Sequence, residues 1–426
     1  MQEPSFFDRA THWLKTSTTV RLFTIGFILL LLLIPIELVQ DLIRERQGRQ
    51  NQAVYDIASS WGQAQELTGP ILVIPFEKTE LLYGHINNTQ EEKKTTLYAS
   101  FLPDELDYSG TLLPETNHRG IYDVNVYTAD LNVKGAFPKP HMSEWDEANV
   151  VVRWDKAQVV FGITDLAGVN EAIVLNINGI QLPFNPGLEE YLPVGSGVIT
   201  DVDISPETEE LRFSTHLLLR GTRAIEFSPL GKVTNVELNS TWKDPSFFGD
   251  FSPDDKKVAP EAEGFYAHWN VLHLNRSIPQ KFIGQHGNLR NFNFGVSLFD
   301  EVNDYHKTER TAKYAVLFIA LTFMTFFFAQ ILNKVRIHGL QFVMVGLALC
   351  VFYVLLLSLS EHLGFDLAYL IASLGIIIQI TLYVMAIFKS RKLGFTVLGI
   401  LAGLYLFIYT IIRMAEYSLL MGSIGL

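Results

Sequence analysis

The chain has 426 residues, of which 48% are apolar and 18% charged, with a formal net charge of −12 and one cysteine. That acidity disfavours polyanions and so excludes nucleic acid as a partner class, while a lone thiol excludes both a disulfide framework and a thiolate metal centre. The acid is not evenly spread: residues 41–313 hold 39 Asp plus Glu against 24 Lys plus Arg, and the rest of the chain is net basic.

Residues 1–21 carry Arg9, Lys15 and Arg21 and read as a cytoplasmic N-terminus. Residues 22–39 are apolar apart from Glu37, the charge arrangement of a start-transfer helix. The stretch Ile36-Glu37-Leu38-Val39-Gln40 lacks the small residues that a signal peptidase needs, so 22–40 is expected to remain as an uncleaved transmembrane anchor. Glu37, two residues after Pro35, is expected to snorkel to the outer interface. Beyond it, Val54, Ile57, Ala58 and Trp61 recur at helical spacing up to Gly69-Pro70, which predicts a helical stalk over 41–69.

After Pro70 the apolar period changes from helical to two. Segments 71–76, 95–101, 121–137, 150–164, 172–184, 211–220, 233–242, 264–274 and 292–299 are rich in Val, Ile, Tyr, Phe and Thr. Turn clusters separate them: Tyr108-Ser109-Gly110, Asn178-Gly179, Asn185-Pro186-Gly187 and Pro229-Leu230-Gly231-Lys232. The last is expected to join 224–228 to 233–238 as a hairpin. Nine or more strands without helical periodicity between them predict an antiparallel β-sandwich or open barrel over 70–312.

Four uncharged apolar runs fill the C-terminal region 313–426: 314–332, 340–360, 367–388 and 393–412. Backbone amides cannot be left bare in hydrocarbon, and runs of ~20 such residues are satisfied as membrane-spanning helices. The loop 333–339 holds Lys334 and Arg336, and 389–392 holds Lys389, Arg391 and Lys392. The loop 361–366 between them holds Glu361 and Asp366 and no basic residue. Basic short loops stay cytoplasmic, so everything between the first and second spans is expected outside the cytoplasm. Residues 414–426 are too few for another crossing and read either as a sixth helix cut short or as an end in the outer interface.

The fold class that follows is an integral membrane α-helical bundle plus a large extracytoplasmic all-β, sandwich-like domain inserted between the first and second transmembrane helices. Its expected partners are the lipid bilayer and unidentified envelope or cell-wall proteins.

Chemistry is harder to find. There is no HExxH, GxSxG, Walker loop or GxGxxG after a strand, so hydrolase and nucleotide readings have no support. His268 and His273 flank Trp269 in a predicted strand at opposite parity, an awkward arrangement for one metal. The aromatics of 242–251 (Trp242, Phe247, Phe248, Phe251) allow a sugar-stacking patch, but are expected to plug the end of the β core. Gln330 and Gln379 are expected to act as interhelical hydrogen-bonding groups. Glu361-His362 closes a span with a carboxylate beside an imidazole, which could bind a proton or a metal; no third group completes the set. No catalytic, cofactor or metal residue is assigned.

The segment TAKYAVLFIALTFMTFFFAQILNKVRIHGLQFVMVGLALCVFYVLLLSLSEHLGFDLAYLIAS (311–373) resembles the CreD family of bacterial inner-membrane proteins. LLLIPIELV (31–39), LTGPILVIP (67–75) and WKDPSFFGDFSP (242–253) are similar in order and placement. The resemblance implies induction by a two-component system of the Cre or Blr type. It also implies a link to envelope integrity, the response to β-lactams and tolerance to some colicins. It brings no biochemical activity, so Glu361 and His362 stand as family-pattern residues without a role. Three readings remain: a non-enzymatic envelope protein, a membrane-embedded enzyme or lipid/glycan carrier at the outer leaflet, and a sensor whose outer domain binds a wall fragment, against which the short cytoplasmic loops count.

Overall fold

A computed structural model describes residues 18–83, 90–142, 149–189, 192–259, 264–284, 289–298, 304–332 and 337–413. The basic residues Arg9, Lys15, Lys334 and Arg336 and the segment 414–426 lie outside them. The chain divides into two compact units, Met1–Asn51 with Glu301–Leu426, and Gln52–Asp300.

Helix α1 (Thr18–Trp61) runs from the first apolar segment into the stalk without a break. It ends at Trp61, where Gly62 takes a φ of +134°, and not at Gly69-Pro70. The difference has a local cause. Glycine lacks the Cβ that makes this φ costly, and from Gln65 the backbone pairs in parallel with Ile225–Phe227. Gly69-Pro70 falls inside the first strand, at a register irregularity between Thr68 and Ile71.

The strands follow in chain order: β1 (Gln65–Tyr83), β2 (Gln90–Phe101), β3 (Glu105–Arg119), β4 (Tyr122–Phe137), β5 (Val150–Val152), β6 (Ala157–Ile163), β7 (Val174–Ile177), β8 (Ile180–Pro183) and β9 (Asn185–Pro186). The second half continues with β10 (Gly197–Val202), β11 (Leu211–Thr222), β12 (Ala224–Phe227), β13 (Val233–Ser240), β14 (Ser246–Gly249), β15 (Asp255–Ala259), β16 (Gly264–Leu272), β17 (Lys281–Ile283) and β18 (Phe294–Ser297). One sheet runs β14-β18-β12-β1-β6-β10-β9, with β2 and β5 on β1 and β17 on β2. The other runs β15-β16-β13-β3-β4-β11-β7-β8.

Two expectations are corrected here. Tyr108-Ser109-Gly110 is not a turn but the middle of β3; a Cβ on Gly110 would stand 2.0 Å from the Asp130 carbonyl, so this glycine serves close strand approach. Nor do β12 and β13 form a hairpin. They belong to different sheets, and 228–232 crosses between them with Leu230 fully buried. Most pairings are antiparallel, but β1–β12 and β3–β13 are parallel. Asn178 and Gly179, at φ +49° and +89°, do make the two-residue turn between β7 and β8.

Alternation of burial along β11 and β13 sends one face of each strand into a core shared by both sheets. The sheets are joined there by aromatic contacts. Tyr108 meets Phe227 edge-on at 5.0 Å and donates its hydroxyl to the Gly69 carbonyl, and Trp269 meets Phe294 at 5.6 Å. With no cysteine in this unit, its stability rests on such burial, roughly 1.5–3 kcal/mol for each large apolar side chain.

In the other unit, a polar helix α2 (Asp304–Lys313) separates the last strand from the apolar helices α3 (Ala315–Leu332), α4 (Gly339–Leu363), α5 (Phe365–Phe388) and α6 (Arg391–Arg413). The order is therefore one N-terminal apolar helix, a large all-β region, a short polar helix where the sequence predicts the end of the β domain, and four apolar helices. Five helices, α1 and α3 to α6, are long and apolar enough to cross a bilayer. The expected acidic loop 361–366 shrinks to Gly364, at φ +75°, because α4 and α5 run up to it from either side.

Glycines set the close contacts inside this unit. A Cβ on Gly346 of α4 would reach Leu32 of α1 at 2.1 Å, and one on Gly394 of α6 would reach Met385 of α5 at 2.3 Å. Between them Phe318, Phe352, Tyr369 and Tyr405 stack with ring separations of 4.7 to 6.4 Å, and Tyr369 donates to the Tyr405 carbonyl at 2.7 Å.

Candidate functional site at the polar end of the helical unit

Glu361 sits in the last turn of α4, where the helix dipole presents its negative end. A carboxylate there is disfavoured unless donors surround it, and its side chain is only 10% exposed. Two other elements supply the donors. The Tyr305 hydroxyl, on α2, donates at 2.9 Å, and the Arg46 guanidinium, on α1 beyond its apolar segment, approaches to 3.8 Å. Further polar contacts join the same elements: Gln47 Nε2 lies 3.2 Å from His306 Nε2, and Gln40 Nε2 donates to the Ala312 carbonyl at 3.5 Å. Thr308 and Thr311 are fully buried, and the latter donates back to the Lys307 carbonyl.

On the other side of Gly364, Asp366 opens α5, where a carboxylate complements the helix N-terminus. It accepts from Arg413 at 2.8 Å and from the Tyr409 hydroxyl at 3.0 Å, tying α5 to the end of α6. Thus the two acids that marked the loop in the sequence become two separate clasps. His362 is exposed and joins neither.

A general base needs a lone pair directed at substrate, and a metal centre needs convergent ligands. In Glu361 both the Tyr305 and the Arg46 contacts fall on Oε1, which turns the carboxylate toward α2 and α1, and among the described residues no group of three or more His, Cys, Asp and Glu converges. The arrangement is suited to fastening α1 and α2, the segments that enter and leave the β region, onto α4. In the sequence Arg46 reads only as one of the basic residues after the first span, and Tyr305 is not distinguished. The available signal was the run 304–313, with Tyr305, Thr308, Thr311 and Ala312 at helical spacing on a buried face.

The β unit holds a second polar locus. A cavity of about 470 Å³ is lined by Thr68, Thr164, Ser196 and Arg290, among others. Beside it Arg290 pairs with Glu66 at 3.0 Å, and a hydrogen-bonded track passes from Thr68 to Ser228 at 2.9 Å and on to Asn293 at 2.8 Å. Glu226 is the cross-strand partner of Glu66, and burial, then the charge of Glu66, raises its carboxyl above the usual 4.5. The Thr68, Ser228 and Thr164 hydroxyls are engaged by one another, by the Asn293 side chain and by backbone, which makes a polar seam along this cavity.

The remaining sequence candidates are dispersed. Phe247 and Phe251 pack on the shared core, Phe247 edge-on to Trp269 at 5.6 Å, and the Trp269 indole donates to the Phe251 carbonyl at 3.2 Å. His268 lies in β16, while His273 is in the turn after it, its Nδ1 3.3 Å from the Lys232 carbonyl. Gln330 is buried in α3, and exposed Gln379 lines a cavity of about 270 Å³ between α4 and α5. Glu37 is ion-paired with Arg44 at 3.5 Å.

Five helices long and apolar enough to cross a bilayer, in a chain that also holds one large all-β region, define an integral membrane protein. The family model described as "Inner membrane protein CreD" matches residues 17–426, and the Inner membrane protein CreD of Escherichia coli (strain K12) is 34% identical over 405 residues. That alignment covers 92% of this chain and 87% of the relative. The chain belongs to the CreD family of inner-membrane proteins.

Proposed function

We propose that this protein supports cell-envelope integrity and the response to envelope stress such as β-lactams without catalysing a reaction. Its β unit is held on the periplasmic face of the inner membrane, where it contacts envelope or cell-wall proteins, and its N-terminus is cytoplasmic. The observation that carries this reading is the engagement of Glu361 by Tyr305 and Arg46. It makes the carboxylate of the most enzyme-like residue pair of the sequence part of a brace for the two segments that connect to the β unit. Acid in that unit and base in the loops around Arg391 agree with an exported domain.

The test is complementation of a deletion strain, scored by β-lactam and detergent sensitivity at matched membrane protein levels. Glu361→Gln and His362→Ala should complement, whereas Leu131→Asp, which places a charge in the β core, should not. A null His362→Ala at normal level would refute the reading and favour a membrane-embedded enzyme or lipid carrier.

A further inference from the structure

Of the two glutamines carried by α3 and α5, Gln330 is buried inside the bundle, while Gln379 is exposed on its outer face. The hydroxyls of Thr325, Ser360, Ser373 and Thr410 each donate back to a carbonyl of their own helix, at 2.9 to 3.0 Å. Gln379 makes no hydrogen bond to any described residue, so the interhelical bond expected of it is not made within this chain.

Depth decides what can meet this amide. Along α5, Gln379 stands about 21 Å from Phe365 at one end and about 14 Å from Phe388 at the other. Either distance exceeds the reach of a glutamine side chain, which cannot snorkel to water as a lysine near a helix end does. Phospholipids offer only hydrocarbon at this level, their polar atoms lying with the headgroups. An amide facing hydrocarbon without a partner is costly, so what the site lacks is a polar group on another polypeptide at the same depth. There is room for one: Gln379 borders a cavity of about 270 Å³ with Met344 and Ala348 of α4 and Tyr383 of α5. One turn before it, Gly375 is exposed, and a Cβ there would meet nothing within 4 Å.

We propose that α5 of a second copy of this chain docks on this face, with the two Gln379 amides hydrogen-bonded to each other across a two-fold axis. An amide carries both an acceptor oxygen and donor N–H groups, so it complements an identical amide, as a carboxylate or an ammonium does not. Two copies inserted with the same topology bring their Gln379 side chains to the same depth, as a self-complementary contact about an axis normal to the membrane requires. A partner of different sequence would need a polar group of its own at that level; a second copy already carries one. The faces approach without like-charge repulsion, because α5 has no charged residue between Asp366 and Lys389. Ile371, Ile378 and Leu382, all exposed beside the amide, are covered in the same contact.

The test is oxidative crosslinking of the full chain in native membranes, in a Cys350→Ala background. Gly375→Cys and Leu382→Cys, one turn to either side of Gln379, should give a disulfide-linked dimer, and Leu406→Cys on α6, at 67% exposure, should give none. Adding Gln379→Leu to Leu382→Cys should lower the dimer yield about fivefold at matched membrane levels, whereas Gln379→Asn, which keeps the amide, should retain most of it. The proposal is overturned if both cysteine variants on α5 stay monomeric, link to a different protein, or crosslink no better than Leu406→Cys. An unchanged yield from Gln379→Leu, or equal losses from Gln379→Leu and Gln379→Asn, would overturn it too, since the amide would then not be the joining group.

Discussion

The Tyr305 phenol donates to the Glu361 carboxylate at 2.9 Å, and that bond joins the helix leaving the β region to the end of α4. Removing either partner strands the other in a largely buried setting. Tyr305→Phe and Glu361→Ala should each cost about 1.5–3 kcal/mol of apparent stability, read as a lower unfolding temperature of the detergent-solubilised protein. The double variant should cost clearly less than the two single losses added together, because the two residues share one interaction. His362→Ala should stay within about 0.5 kcal/mol of wild type.

Glu226 yields a pH dependence with a definite sign. Its folded-state carboxyl is raised, so the folded protein holds a proton that the unfolded chain releases. Its contribution to stability is present below the unfolded value of about 4.5 and is lost as pH rises through the raised folded value. Glu226→Gln should therefore raise the unfolding temperature at pH 7, with the gain vanishing near pH 4. Asn293 should also matter at neutral pH, since its side chain hydrogen-bonds to the ionised form.

Arg276 holds three backbone carbonyls, of Leu230, Gly231 and Ile278, together with the side chain of Gln280. Burial depresses its guanidinium to about 10, so it remains charged at neutral pH, and its bonds to the Leu230 and Gly231 carbonyls hold the crossing between the two sheets. Arg276→Lys keeps the charge but loses the planar fork, and should destabilise the β unit by about 2 kcal/mol; Arg276→Ala should cost more. Thermal unfolding followed by tryptophan emission measures both, since Trp269 lies in the same unit.

Much of the helical unit was legible because bilayer thickness and backbone hydrogen bonding leave little choice: the run 367–388 became Phe365–Phe388, and 314–332 became Ala315–Leu332. Period-two segments likewise located most strands. The failures share a cause, which is long-range pairing. Gly110 reads as a turn residue until β4 is known to pass against it, and 229–232 reads as a hairpin until its flanking strands are found in different sheets. The Glu361 clasp was half visible. Its carboxylate stood out among apolar neighbours, but Arg46 and Tyr305, 315 and 56 positions away, are brought to it only by packing of α1 and α2 against the bundle.

The account depends most on the side of the membrane that the β unit occupies. Single cysteines at Gln181, exposed just after the β7–β8 turn, and at Arg391, exposed at the start of α6, can be placed in a Cys350→Ala background. They are then challenged with a membrane-impermeant maleimide on intact spheroplasts. The cysteine at 181 should label at once and the one at 391 only after lysis; labelling at 391 with protection at 181 would contradict the account.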